Sequence, residues 1–148
     1  MISKGHDLIV LLIEDNDDHA EIVQRGFNEH RVANRLIRVK DGEEALKYLF
    51  RRGIYADDMK YPLPNIIILD LRLPKVDGLE VLKLAKSTGE LKHIPVVVLT
   101  SSEDSKDISA AYDNYVNSYL VKPLDFEKFN ELMGVLDYYW LAWNQKPF

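Results

Sequence analysis

The sequence predicts an α/β fold, a parallel five-stranded sheet with helices on both faces. Three observations predict it. Five short apolar runs alternate with five stretches of helical period. Four of those runs are rich in Ile, Val or Leu without clean polar alternation, as strands buried on both faces are. Right-handed crossovers are also the economical way to join parallel strands through such helices.

The elements follow in order. The first run, Leu8 to Ile13, leads into a helical stretch from Asp17 to Glu29, where Asp17 and Asp18 suit capping and first-turn positions because negative charge there favours the helix dipole. The second run, Arg35 to Val39, alternates in part, as an edge strand does, and a helix follows over Glu43 to Arg52. Gly53 to Asn65 is a long connection that holds Tyr55-Ala56-Asp57-Asp58 and ends in Pro62-Leu63-Pro64. The third run is Ile66 to Leu69, with a helix over Leu79 to Lys86. The fourth is Pro95 to Leu99, with a helix over Ser105 to Ala111. The fifth is Tyr119 to Val121, and the last helix runs from Asp125 to Trp143.

On that last helix Phe129, Met133, Leu136, Trp140 and Trp143 recur at near-heptad spacing and define one face, and packing on the sheet accounts well for Phe129, Met133 and Leu136. Tyr138, Tyr139 and Trp140 are consecutive, so they cannot all point inward. At least one large aromatic is left on a second surface, as at protein interfaces. This predicts a homodimer through the last helix and neighbouring strand, with Tyr138, Tyr139, Trp140 and Trp143 at the interface.

Composition bounds the function. The chain of 148 residues has the size of one domain, read here as 1–148 with an aromatic-rich carboxyl-terminal helix and tail at about 125–148. With 47 % hydrophobic and 29 % charged residues it is globular rather than disordered, and with no Cys it has no disulfide, thiolate metal site or cysteine chemistry. A formal charge of −5 with scattered Lys and Arg argues against nucleic acid as a direct partner. No apolar stretch is long enough for a signal peptide or a membrane span, so the expectation is a soluble cytoplasmic protein without a membrane partner.

In open parallel sheets, ligands bind beyond the carboxyl ends of the strands. Glu14 and Asp15 directly follow the first run and Asp70 follows the third, so three carboxylates gather at one sheet edge. Their mutual repulsion is relieved by a divalent cation, and hard oxygen ligands without thiols or clustered histidines select Mg²⁺ or Mn²⁺. The alternative for Glu14 and Asp15 is simple capping of the next helix. Thr100 ends the fourth run and Lys122 the fifth, which brings a hydroxyl and an ammonium to the same edge. Carboxylates, cation, hydroxyl and lysine together form a cradle for a phosphoryl group, with Asp70 as the nucleophile that forms an acyl phosphate. His6, His19, His30 and His93 form no ligand set; His19, near the cleft, reads as a surface or cap residue.

These residues resemble the response regulator receiver domain of two-component signalling, from Leu8 to about Trp143. Glu14 and Asp15 match its acidic pair, Asp70 its phosphoacceptor, Thr100 its switch hydroxyl and Lys122 its phosphate-contacting lysine. The resemblance implies a flavodoxin-like (βα)5 fold with strand order 2-1-3-4-5. It also implies phosphate from the phosphohistidine of a sensor histidine kinase, a cis Lys122-Pro123 bond, a metal-coordinating carbonyl at Arg72 and an aromatic switch at Tyr119. Ser101, where many members carry Ala, and Tyr115-Val116-Asn117, where many have a Gly-Ala pair, depart from the pattern. The start at Ile13-Glu14-Asp15-Asn16-Asp17-Asp18, the Tyr55 to Pro64 connection and Tyr139-Trp140-Leu141 are similar to single-domain regulators partnered with phytochromes, whose carboxyl-terminal segment carries the dimer contact. With no output domain expected after the receiver, output would be by partner binding or phosphate shuttling.

Three rival functions compete. A phosphatase resembling haloacid dehalogenases would place a second Asp two residues after its nucleophile, where this chain has Arg72. A receiver-like scaffold would bind a partner without phosphorylation and would not need the intact set Glu14, Asp15, Asp70, Thr100 and Lys122. A flavin-binding protein would carry Ser, Thr and Gly where Glu14 to Asp18 is acidic. The expectation is a switch rather than an enzyme with a small-molecule substrate.

Overall fold

The structure is a computed structural model, and it describes residues 8–29 and 34–144. Five parallel strands, β1 (Leu8–Ile13), β2 (Asn34–Val39), β3 (Ile66–Leu69), β4 (Val96–Thr100) and β5 (Ser118–Val121), form one sheet in the order β2-β1-β3-β4-β5. The connecting helices are α1 (Asp17–Glu29), α2 (Gly42–Leu49), α3 (Gly78–Lys86), α4 (Ser105–Asp113) and α5 (Phe126–Asn144). The expected class and strand order are those observed, with β2 at an edge.

Burial on both faces explains the unbroken apolar runs. Along β1, Val10 and Leu12 join Ala20, Val23 and Phe27 of α1 and Phe129, Leu132 and Leu136 of α5 in one core. Leu11 and Ile13, pointing the opposite way, join Ala45 and Leu49 of α2, Val81 and Leu82 of α3 and Ala111 of α4 in the other. On α5 the inward stripe is therefore Phe129, Leu132 and Leu136. Met133 packs against the same core but is only partly buried: Leu132 and Met133 stand three and four residues beyond Phe129, both on its face, and Leu132 is the one turned inward, a correction to the near-heptad reading. The side chains of Tyr139, Trp140 and Trp143 lie outside the described residues.

Element ends differ by local chemistry. Asn16, rather than Asp17, caps α1: its side chain accepts from His19 N at 3.0 Å and its carbonyl from Ala20 N at 3.0 Å. Asp17 stands in the first turn, where Arg38 Nη1 donates to it at 2.7 Å. Asp125 caps α5 by accepting from Lys128 N at 2.8 Å. The second helix stops at Leu49 instead of running to Arg52, because Arg51 turns left-handed (φ 56°) and Arg52 N donates back to Lys47 O at 2.8 Å, a Schellman closure. The connection after α2 is no free loop. Tyr48 Oη donates to Pro62 O and Tyr55 Oη to Glu44 Oε2, each at 2.6 Å, and the rings of Tyr48, Tyr55 and Tyr61 pack against one another.

Helices α1 and α5 meet at Gly26, where a Cβ would lie 2.2 Å from the Phe129 ring. That ring is itself buried and stands edge-on to Phe27 at 6.2 Å, so it has little room to yield. Gly26→Ala is therefore expected to lower stability by about 1–2 kcal/mol in urea unfolding, the overpacking cost exceeding alanine's helix preference. Unchanged or raised stability would contradict this packing.

Candidate functional site

Strand register brings the charged residues together. Ile13 of β1 pairs with Leu69 of β3, so the residues that follow, Glu14 and Asp70, emerge side by side at the carboxyl edge. The backbone holds them there, with Asp70 N donating to Ile13 O at 3.0 Å and Glu14 N to Val39 O at 3.1 Å. Thr100 pairs with Val121 at the same edge, and Lys122 N donates to Thr100 O at 2.8 Å. The peptide bond from Lys122 to Pro123 is cis.

Carboxylate oxygens of Glu14, Asp15 and Asp70 all lie within 4.8 Å of one another, a separation that one cation can span. Glu14 and Asp70 are buried at 2 % and 6 % exposure, while Asp15 faces solvent. Burying two like charges side by side is costly unless a cation pairs with them. Lys122 does so: its Nζ donates to Glu14 Oε1 at 2.7 Å and to Asp70 Oδ2 at 3.0 Å. It also donates to His19 Nδ1 at 2.8 Å, so each of the ammonium's three protons has an acceptor. His19 is thus a wall of the cleft rather than a helix cap. Burial raises the Glu14 carboxyl above the usual carboxylate range despite the opposing Lys122 hydrogen bond, and the Asp70 charge raises it further. A carboxylate so destabilised gains from a divalent cation, and the all-oxygen donor set fits Mg²⁺ or Mn²⁺.

Thr100 is fully buried at the end of β4, and Ser102 N approaches its Oγ1 at 3.5 Å. Tyr119 is half-buried, with its hydroxyl donating to Ser102 O at 2.9 Å; burial raises the phenol above its ordinary value, which keeps it a donor. Arg72 N donates to Asp70 Oδ1 at 3.1 Å, fixing the carboxylate's rotation, while the Arg72 guanidinium pairs with Asp107 of α4. Ser101 is exposed, and Tyr115, with a left-handed backbone (φ 65°), is exposed as well.

Gly78 serves the site by absence of bulk. A Cβ there would stand 2.4 Å from Asp70 O and 2.5 Å from Leu71 Cα, so the glycine is needed for close backbone approach rather than for a turn conformation. Sequence reasoning missed this role, the Lys122 to His19 contact and the buried Asp107. Asp107 stands in the first turn of α4, where an acid ordinarily reads as dipole compensation, and its partner is 35 residues away. Tyr138, expected at an interface, is 68 % exposed on α5. Among the described residues, no helix is long and apolar enough to cross a membrane.

Residues 10–133 match the family described as response regulator receiver domain. The chain is 45 % identical over 139 residues to the probable methanogenesis regulatory protein FilR2 of Methanothrix harundinacea, covering 94 % of this chain and 87 % of that protein. It is 38 % identical to response regulator Rcp1 of Synechocystis, over 90 % of this chain and 88 % of Rcp1. Among solved structures it is similar to the phosphorylated cyanobacterial phytochrome response regulator RcpA (TM-score 0.80, 36 % identity, covering 93 % of this chain and 96 % of that one). It is similar also to the Mn²⁺-bound form of Rcp1 (TM-score 0.78, 36 % identity, 95 % and 96 %).

Asp15→Asn removes the exposed carboxylate and is expected to weaken Mg²⁺ binding roughly tenfold or more without loss of stability, since even outer-shell changes cost metal sites that much. Calorimetric titration of Mg²⁺ checks it, and an unaltered affinity would remove Asp15 from the site.

Proposed function

This chain belongs to the response regulator receiver family, and from that premise we propose that Asp70 is its phosphoacceptor, charged by the phosphohistidine of a sensor histidine kinase. The observation that carries this reading is the juxtaposition of Asp70 with Glu14 and Asp15 on one side and Lys122 on the other. In the transfer, an Asp70 carboxylate oxygen forms a bond to phosphorus as the N–P bond of the donor breaks. The departing imidazole nitrogen keeps that electron pair and takes up a proton from solvent.

Glu14, Asp15 and Asp70 would hold the Mg²⁺ or Mn²⁺ ion, with the Arg72 backbone carbonyl as a further ligand, and the ion supplies neutralisation of charge on the phosphoryl oxygens. Lys122 leaves its contact with Asp70 for a phosphoryl oxygen, and the Thr100 hydroxyl donates to another. Movement of Thr100 opens space into which Tyr119 turns, breaking its bond to Ser102 and reshaping the surface around β4, α4 and β5. The protein is on this reading a single receiver domain over 1–148 that acts in the cytoplasm by binding partners.

The partner surface is that of a homodimer through α5 and neighbouring β5. Its support is the exposed aromatic Tyr138 on α5, together with exposed Tyr112 and Tyr115 at the end of α4. The kinase is of the phytochrome kind on the likeness to RcpA, while the higher identity to FilR2 favours a kinase that answers a different stimulus. Phosphotransfer assays with a phytochrome kinase and with a non-phytochrome kinase separate the two.

Intact mass after incubation with acetyl phosphate and Mg²⁺ is expected to show one added phosphoryl group, mapped to Asp70. Asp70→Asn should abolish it, and a fully labelled Asp70→Asn would remove Asp70 as nucleophile. Thr100→Ala should keep the label while losing the change in hydrogen-exchange protection around β4 and α4. Sedimentation over a concentration series tests the dimer: a mass fixed at the 17.1 kDa of one chain, with and without phosphoryl analogue, would overturn it.

A further inference from the structure

Phosphotransfer to Asp70 engages only the backbone of Arg72 and has no part for Asp107, yet their side chains form an ion pair that joins the loop after Asp70 to α4. Asp107 is buried in the first turn of α4, where its Oδ2 also accepts from Ser102 Oγ at 2.5 Å. Ser102 in turn receives the Tyr119 hydroxyl on its carbonyl at 2.9 Å. One carboxylate therefore ties together the loop after Asp70, the loop after Thr100 and, through Ser102, the tyrosine of β5. The Arg72 side chain is 57 % exposed against 12 % for Asp107, so charge rather than packing keeps the guanidinium in place.

Phosphorylation changes the charge balance on the other side of Arg72. Three carboxylates, one lysine and one divalent cation are neutral together. An acyl phosphate on Asp70 exchanges a single negative charge for roughly two, leaving about one in excess. Arg72 is rooted two residues along the chain, with its N–H already 3.1 Å from Asp70 Oδ1. Its guanidinium can meet phosphoryl oxygens through paired N–H donors, a match that lysine lacks.

We propose that the Arg72 side chain is a second phosphoryl-binding cation held in reserve by Asp107. The phosphoryl group on Asp70 draws the guanidinium off Asp107, which unties the loop after Asp70 from α4 and leaves Asp107 to the Ser102 hydroxyl. Arg72 then touches the phosphoryl group, and Asp107 is a positioning residue that acts through Arg72. The inference rests on Asp70 being the phosphoacceptor.

The test is calorimetric binding of beryllofluoride, a stable analogue of the phosphoryl group, to the full chain in saturating Mg²⁺. Arg72→Ala is expected to weaken binding roughly tenfold, as loss of a hydrogen bond between charged groups does, and Arg72→Lys to restore part of it. Asp107→Asn, which keeps the shape but frees the guanidinium, is expected to tighten binding several-fold. That tightening should vanish in the Arg72→Ala background, a dependence on the guanidinium that a merely structural role for Asp107 would not give. Asp107→Asn binding no tighter than wild type, or tighter to the same degree without Arg72, would overturn the exchange. If Asp107→Asn does not fold, the largely exposed Arg72 decides: unaltered affinity in Arg72→Ala overturns the proposal. Wild-type protein that binds no beryllofluoride would instead overturn the phosphoacceptor reading itself.

Discussion

Two carboxylates buried side by side are the constraint on which the cleft depends. Glu14 and Asp70 emerge from adjacent strands with almost no solvent to screen them, and the Lys122 ammonium between them makes the arrangement tolerable. The same frustration suits the site to a divalent cation, because a lysine and a metal ion compensate the same acids.

The scaffold makes that balance rigid. Parallel register aligns the carboxyl ends of β1, β3 and β4, and helices cover both faces of the sheet, so the charged residues that follow those strands share one edge. Close backbone approaches brace the loops from behind. Gly78 lets α3 start against Asp70 and Leu71, and Gly42 brings α2 to within hydrogen-bond distance of Pro74 O, 3.2 Å.

Much of this was legible in the chain. Apolar runs with no polar alternation identified central strands because both faces of a parallel sheet are covered, and the acids, hydroxyl and lysine at the ends of separate runs identified the edge where they would converge. Errors fell at helix ends and on α5. Asn16 was overlooked because two aspartates beside it are equally good caps on composition, and Leu132 because residues three and four beyond Phe129 share its face, so spacing does not choose between Leu132 and Met133. The Gly53 to Asn65 connection read as loop because its order comes from tyrosine hydroxyls reaching partners 11 and 14 residues away.

By itself the sequence determined which residues become strands and helices and which side chains stand at strand ends, because those depend on local periodicity and on the alternation of elements along the chain. Only the tertiary structure decided who pairs with whom. That Lys122 takes both Glu14 and Asp70, that His19 completes its three acceptors and that Arg72 is held by Asp107 depend on distances across 35 to 108 residues of chain. Such pairings are set by register and burial: the charges meet because the sheet leaves them one shared exit to solvent, and burial makes their partners obligatory.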